Sequence, residues 1–294
     1  MKVLLTGARG LIGSAILQLL QNQGIDTVVI GRLRPLNYHG EFITCDLLHL
    51  AATPALIANV GATHLVHLAW FVEHGHYWTS PLNPRWVESS VRLVEMFRDS
   101  GGQKVLAAGT CAEYEWSWGL CREDFTPLIP ASPYGVAKDA CRRLLDSICR
   151  ESGMSFVWGR IFLPYGPRED SRRLLPSLRE VFQGTRAPFP VNKTAYRDFL
   201  HTDDVAWGFI RLLFARAEGA YNVSSGQPVQ IAEVVRLIAA HWDADPDIVL
   251  QLEKADLAEP TILVGDSGKL RSLGWTPAYG IQALVDYGRH DANS

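Results

Sequence analysis

The sequence predicts an α/β protein: a doubly wound parallel sheet followed by a smaller, mixed α/β domain. Three observations carry that reading. Short β-branched runs at 3–5, 27–30, 65–68 and 105–108 alternate with longer stretches of helical periodicity, the rhythm of parallel strands crossed by helices. A glycine-rich turn, Thr6-Gly7-Ala8-Arg9-Gly10-Leu11-Ile12-Gly13, lies between the first run and the first helical stretch. Beyond Phe162 the regularity weakens, as Pro164, Pro167, Pro176, Pro188 and Pro190 interrupt the chain. The expected division is a first domain over 1–163, to which 198–223 return, and a second, discontinuous one over 164–294.

Taken in order, Val3, Leu4 and Leu5 open the sheet. Ile12, Ala15, Ile16, Leu19 and Leu20 then fall at i, i+3, i+4, i+7 and i+8, one apolar stripe of a helix that stops at Gly24. A second stripe, Tyr134, Ala137, Cys141, Leu144, Leu145 and Ile148, follows Pro133, with Arg142, Arg143 and Asp146 expected opposite it. No internal repeat or low-complexity tract is present.

Composition narrows the function classes. A chain of 294 residues, 47% hydrophobic and 20% charged, can bury a large core without disulfides or metal. A formal net charge of -3 and a pI near 6.3 give no basic field for a nucleic-acid backbone. Five cysteines, Cys45, Cys111, Cys121, Cys141 and Cys149, form an odd set without Cys-x-x-Cys spacing, which fits a reducing cytoplasm. The N-terminal apolar run is too short for a signal-peptide core, and no later stretch is apolar for long enough to span a bilayer. A soluble, cytoplasmic protein without nucleic-acid or membrane partners is expected.

A strand, a glycine turn and a helix in succession form the dinucleotide fingerprint of a Rossmann-type domain. Gly7, Gly10 and Gly13 let backbone N–H groups and the helix N-terminus meet a pyrophosphate. Asp46, downstream of the second strand, would accept from the adenine amino group or cap the following turn. At the end of the second strand, Val28-Val29-Ile30-Gly31-Arg32 offers no carboxylate for the ribose hydroxyls of NAD(H), whereas Arg32, with Arg9 as its neighbour, suits a 2′-phosphate. NADP(H) is the expected cofactor.

Tyr134-Gly135-Val136-Ala137-Lys138 places a phenol and an ammonium one helical turn apart on one face. The positive charge is expected to lower the phenol pKa, making Tyr134 a proton donor or acceptor near neutrality. With the glycine turn, the strand end Val66-His67-Leu68-Ala69 and the runs Arg160-Ile161-Phe162-Leu163-Pro164-Tyr165-Gly166-Pro167, Arg197-Asp198-Phe199, Tyr221-Asn222-Val223 and Leu273-Gly274-Trp275-Thr276-Pro277, this pair makes the chain resemble the extended short-chain dehydrogenases/reductases, the sugar-nucleotide epimerase, reductase and dehydratase group. The resemblance covers nearly the whole chain. It implies a third catalytic group at Thr110, four residues before Tyr114, and a cofactor resting against Leu11, Ile12, Leu47, Leu68 and Ala69 as well as the glycines, Tyr134 and Lys138. It also implies that Arg197 grips a diphosphate, that Asp198 is structural, and that the position of Leu163 faces the sugar nucleotide.

Departures from the family pattern narrow the chemistry. Cys111 and Ala112 stand where dehydratases of the group resemble one another in carrying acidic residues, and strand-like alternation would turn Glu113 away from the site. Leu163 and Trp86 replace two asparagines common in the family, with Trp86 expected just before a helix. Trp70, Phe71, Tyr77, Trp78, Trp116 and Trp118 follow two strand ends, where they would stack on a sugar or base, or pack in the core. His64, His67, His74 and His76 suggest no metal site, since only His74 and His76 are close in sequence and His67 suits a hydrogen-bonded core position. The resulting expectation is an NADPH-dependent reductase of a keto group on a nucleotide-linked deoxysugar. The alternatives are a nucleotide-sugar epimerase and a catalytically silent NADP-sensing or scaffold protein. Helices around 87–97 and 134–148 are expected to pair across a two-fold axis in a homodimer.

Overall fold

The protein is described from a computed structural model, which covers residues 1–52, 57–253 and 259–286. Along the first half run β1 (Lys2–Thr6), α1 (Leu11–Asn22), β2 (Asp26–Gly31), β3 (Phe42–Thr44), β4 (His64–His67), α2 (Leu82–Asp99), β5 (Lys104–Thr110), β6 (Leu120–Cys121), α3 (Pro133–Ser152) and β7 (Ser155–Ile161). The rest contains β8 (Pro164–Tyr165), α4 (Leu174–Phe182), β9 (Tyr196–Arg197), β10 (Leu200–His201), α5 (Thr202–Phe214), β11 (Gly219–Val223), β12 (Val229–Gln230), α6 (Ile231–His241) and β13 (Ile262–Gly265), with shorter helical turns between.

A seven-stranded, wholly parallel sheet in the order β11-β7-β5-β4-β1-β2-β3 forms the centre, so the predicted doubly wound fold is observed. Its inner strands are apolar on both faces because helices cover both sides, which is why Val28, Val29 and Ile30 form an unbroken buried run instead of alternating. On one face α1 and α5 pack with Ile16, Leu20, Phe209 and Leu213; on the other, α2 and α3 pack with Leu93, Phe97, Cys141, Leu145 and Trp158. The last strand reaches the sheet late, β11 pairing with β7 from Gly219 opposite Val157 to Val223 opposite Ile161.

Local chemistry sets the helix ends. Ser132 caps α3, its hydroxyl accepting from the Gly135 N–H at 3.1 Å, with Pro133 in the first turn and Gly153 left-handed at φ 73° beyond the last. The stripe of α3 differs from expectation at one position: Leu144 is exposed, on the same outer face as Val136, while Lys138 and Asp139 are buried. Asp139 holds Arg142 and Arg143, Arg142 Nη2 at 2.8 Å and Arg143 Nε at 2.7 Å, and Arg143 stays exposed on the outer side where the spacing placed it. Trp86 lies inside α2, not before it. The buried Lys104 closes the C-terminus of α5, its ammonium donating to the carbonyls of Leu212, Leu213 and Ala215 at 2.7, 3.1 and 2.7 Å.

The C-terminal portion adds a small sheet, β12-β9-β13-β6, a two-stranded pair β10-β8, and a core under α4 and α6 built on Leu178, Val235 and Ile238. Asp198 joins these parts. Its buried carboxylate accepts from Ser225 N–H at 2.7 Å, Ser225 O–H at 2.6 Å, Gly226 N–H at 3.0 Å and Gly265 N–H at 3.1 Å, tying the β9–β10 link to the segments after β11 and at the end of β13.

Candidate active site

The carboxyl ends of β1, β4 and β5 lie side by side, because Thr6 pairs with His67 and His67 with Ala107. In an open α/β sheet this edge is where ligands bind. The glycine turn leaves β1 here, and its geometry admits no side chains. Gly7 takes φ 73°, and a Cβ there would lie 2.8 Å from the Ala69 amide nitrogen; a Cβ on Gly13 would lie 2.1 Å from the Gly7 carbonyl oxygen. The α1 N-terminus is thereby drawn tight against the turn, with no side-chain cap and no acidic residue in its first turn. Those are the conditions for an incoming anion to meet the exposed N–H groups.

Thr6 fixes the neighbouring strand end. Its hydroxyl oxygen accepts from the Leu68 and Ala69 N–H groups at 3.1 and 3.2 Å, and its proton points to His67 Nδ1 at 2.8 Å. His67 Nε2 in turn meets Ser90 Oγ at 2.9 Å, while the Ser90 hydroxyl donates to the Trp86 carbonyl at 2.7 Å, so the imidazole carries its proton on Nε2. Burial, with the nearby Lys138 charge, drives the His67 pKa down to about 3 and keeps the ring neutral. It is a core histidine.

On the other side of this edge stand Thr110, Tyr134 and Lys138. Thr110 ends β5 and caps the turn Cys111–Glu113: its hydroxyl accepts from the Ala112 N–H at 3.2 Å, while its own N–H donates to Glu113 at 2.8 Å. The Thr110 hydroxyl stands near the Tyr134 phenol in the first turn of α3, close enough to pull its pKa down. Lys138, one turn on, donates to the Ala108 carbonyl at 3.0 Å, and its nitrogen sits 3.9 Å from the centre of the Trp70 ring. Both α3 side chains are buried.

That burial overturns one expectation. The Tyr134 phenol lies well above its ordinary pKa, because desolvation and the neighbouring Tyr77 outweigh the lowering pull of the Thr110 hydroxyl. Lys138 moves the opposite way, to about 8, because burial outweighs the attraction of Cys141 and Glu113. Tyr77, Trp78 and Trp70 box the phenol ring edge-on, with centroids 4.9, 5.7 and 6.4 Å away, and Trp116 crosses Trp78 at 6.1 Å. Three of the six aromatic residues noted in the sequence therefore converge on Tyr134, and Trp116 backs one of them. Trp118 is exposed, and Phe71 lines a separate cavity of about 410 Å³ with Glu73 and His76.

Glu113 does face away, for a reason other than strand alternation. It belongs to a 3-10 turn and is fully buried, accepting from Trp158 Nε1 at 2.9 Å and Arg160 Nε at 2.7 Å. Gly109 makes this possible, since a Cβ there would fall 2.1 Å from Trp158 Nε1. Arg160 continues to the Tyr114 hydroxyl at 3.0 Å, which donates to Asn222 Oδ1 at 2.8 Å. Sequence reasoning missed this support beneath Thr110, although Thr110-x-x-Glu113 is a capping-box spacing. The Cys111 thiol is buried and pushed far up by desolvation.

The remaining predicted residues are more dispersed. Arg32 follows β2 beside the glycine turn, exposed and close enough to Asp46 to help hold that carboxyl below its ordinary value; Arg9 is exposed too. Burial acts the other way on Asp46, whose carboxylate is occupied by the Leu48 N–H at 3.1 Å and His49 at 3.2 Å, the capping arrangement. Leu47 is buried, whereas Leu11, Ile12, Leu68 and Ala69 are half-buried. The Arg197 guanidinium donates to the carbonyls of Tyr196 and Pro260 at 3.0 and 2.8 Å, and Glu259 lies at 3.4 Å. Leu163 is half-buried, and its carbonyl accepts from Leu200 N–H at 3.2 Å.

Comparison with known proteins agrees with this arrangement. Residues 3–224 match the family described as the NAD dependent epimerase/dehydratase family. The chain is 24% identical over 318 residues to a UDP-glucose 4-epimerase of Streptomyces lividans, an alignment spanning 97% of this chain and 94% of that one. A dTDP-6-deoxy-L-talose 4-dehydrogenase (NAD(+)) of Aggregatibacter actinomycetemcomitans is 24% identical over 82% of this chain and 91% of its own. Among solved structures, MoeE5 in complex with UDP-glucuronic acid and NAD superposes with a TM-score of 0.83 at 27% identity, covering 99% of this chain and 100% of that one. The UDP-glucose 4-epimerase of Thermus thermophilus in complex with NAD gives 0.82 at 25%, covering 98% and 99%. With its parallel sheet, glycine turn and Thr110–Tyr134–Lys138 cluster, the chain belongs to the NAD-dependent epimerase/dehydratase family of extended short-chain dehydrogenases/reductases, and is an NAD(P)-dependent enzyme of that type.

Proposed function

We propose that the enzyme interconverts C4 epimers of a nucleotide-linked sugar, with Thr110, Tyr134 and Lys138 as its catalytic group. The carrying observation is the Thr110 hydroxyl beside the Tyr134 phenol, with Lys138 one helical turn on, at the sheet edge that also bears the glycine turn. The similarity to 4-epimerases over nearly the whole chain supports this reading over net reduction.

A nicotinamide dinucleotide fits the chain's own residues. The crowding at Gly7 and Gly13 and the uncapped α1 N-terminus suit a pyrophosphate, with Gly10, Leu11, Ile12 and Arg9 around it, Asp46 and Leu47 towards the adenine, and Leu68, Ala69 and Lys138 towards the nicotinamide ribose. NAD(H) is the preferred form, since the related complexes contain NAD. When bound, the nicotinamide ring supplies a place for a hydride to leave to and return from. The protein supplies the rest. In its phenolate form Tyr134 takes the proton of the reacting hydroxyl, and as the phenol so formed gives it back; Thr110 holds that oxygen, and the Lys138 ammonium favours the phenolate. Tyr77, Trp78 and Trp70 exclude water from the transfer. Arg197 belongs to the substrate side, formed by 164–294 apart from 198–223, which complete the nucleotide-binding part; Leu163, the last residue of the first part, borders it.

A reductase consuming NADPH is the second reading, favoured by two observations. Burial holds the Tyr134 phenol in its donor form, and Arg32, with no carboxylate at the end of β2, suits a 2′-phosphate. Assembly as a homodimer is part of the proposal. Val136 and Leu144 are exposed on one stripe of α3, and Val136 and Ala140 line an apolar groove of about 770 Å³ with Pro84 and Val87 of α2. A concentration-independent monomer mass would contradict that part. The test of function is proton NMR of UDP-glucose, UDP-glucuronic acid and their C4 epimers incubated with the enzyme and NAD. Inversion at C4 is expected; no inversion of any member, with turnover of a 4-keto sugar and NADPH instead, would favour the reductase.

A further inference from the structure

The surroundings of the Lys138 ammonium contain a partner that the proposed chemistry uses only to exclude water. Its nitrogen lies 3.9 Å from the centre of the Trp70 ring, while its one hydrogen-bond acceptor among the described residues is the Ala108 carbonyl at 3.0 Å. Trp70 is itself held. Its indole N–H donates to Asn83 Oδ1 at 3.0 Å, and Asn83 Nδ2 donates to the Tyr77 carbonyl at 2.8 Å. Behind it, Trp86 stacks at 6.1 Å and 26°. The ring is thus held at its edge by Asn83 and packed against Trp86, with the ammonium over it.

We propose that Trp70 is a positioning residue for Lys138: its indole face seats the ammonium, and the Asn83 side chain fixes that face in place. The inference rests on the reading of Lys138 as part of the catalytic group. A buried cation over an indole is drawn by the ring quadrupole more strongly than a surface ion pair holds its partners. The groups facing the ammonium otherwise are Cys141 on its own helix, Glu113 from the turn after β5, His67 from β4, and the Trp158 ring of β7, whose centre is 5.8 Å away. Glu113 is already committed to Arg160, and His67 is neutral. Beside the Ala108 carbonyl, the Trp70 indole is therefore the nearer of the two aromatic faces that support the charge.

The test reads the lysine directly. With lysine ε-carbons labelled in the unliganded full chain, NMR follows each of the six lysines against pH, and the Lys138 signal is identified by its loss in Lys138→Met. Lys138 is expected to titrate near pH 8 in the wild type. Removing the quadrupole while keeping an apolar side chain, Trp70→Leu, should lower that midpoint by about one pH unit, and Trp70→Phe, which keeps a weaker face, by less than half as much. The pH above which NADH affinity falls should move in parallel. A purely packing role would lower the urea midpoint and leave both titrations unmoved. A folded Trp70→Leu protein, or Trp70→Phe where that variant does not fold, whose Lys138 midpoint equals the wild type overturns the proposal. Failure of the functional reading looks different: Lys138→Met would then keep full NADH affinity and turnover whatever Trp70 does.

Discussion

Replacing Lys138 by Met should make the protein more stable while removing its activity. The ammonium is buried, and burial lowers its pKa from 10.5 to about 8. At 1.36 kcal/mol per pH unit, keeping this proton costs the folded state about 3 kcal/mol at pH 7, where folded and unfolded chains are both protonated. Methionine preserves most of the stem volume and carries no charge, although it leaves the Ala108 carbonyl without its donor at a cost of about 1 kcal/mol. The net expectation is a gain of about 2 kcal/mol. The sign of its pH dependence follows from the same values. Between pH 8 and 10.5 the unfolded chain still binds the proton that the folded wild type has released, so wild-type stability rises with pH and the advantage of the variant shrinks, to under about 1 kcal/mol near pH 9.5. Urea unfolding of both proteins at pH 7 and 9.5 measures this. A variant less stable than wild type at pH 7, or a difference that does not change with pH, would refute the buried-ammonium account.

Tyr134→Phe should leave NADH binding near wild type and lower turnover by about 10²- to 10⁴-fold, measured by titration and steady-state rates. Arg32→Ala should leave NADH affinity within about twofold and weaken NADPH by about 1.5–3 kcal/mol; an effect on both cofactors alike would mean damage to the β2 end instead of a lost phosphate contact. Glu113→Gln removes one member of an ion pair with almost no solvent contact, so about 3–5 kcal/mol of stability should be lost in urea titrations, with Thr110 misplaced as a consequence.

What the sequence made legible was local. The glycine turn, the β-branched runs and the Ser132-Pro133 helix start each act over a few residues, so they could be read without knowing what packs against them. The site's support is long-range. Lys138 meets Trp70 from a distant part of the chain, Arg160 meets Glu113, and Asp198 gathers N–H groups from Ser225, Gly226 and Gly265. No periodicity announces such pairs. The phenol went the opposite way from expectation because charge was weighed without burial: the aromatic box of Tyr77, Trp78 and Trp70 could be seen as composition but not as an enclosure. The capping box at Thr110 and Glu113 was the one hidden feature with a readable signal.

The central claim, that a hydride leaves and returns to the same sugar, is tested most directly by stoichiometry. Sugar converted and cofactor consumed are measured in one reaction, the sugar by NMR and the cofactor by its absorbance. The account predicts C4 inversion of a nucleotide sugar to equilibrium with NAD in far less than molar equivalence and no net change in NADH. Consumption of one NADPH for each sugar converted, with no epimer formed, would contradict it.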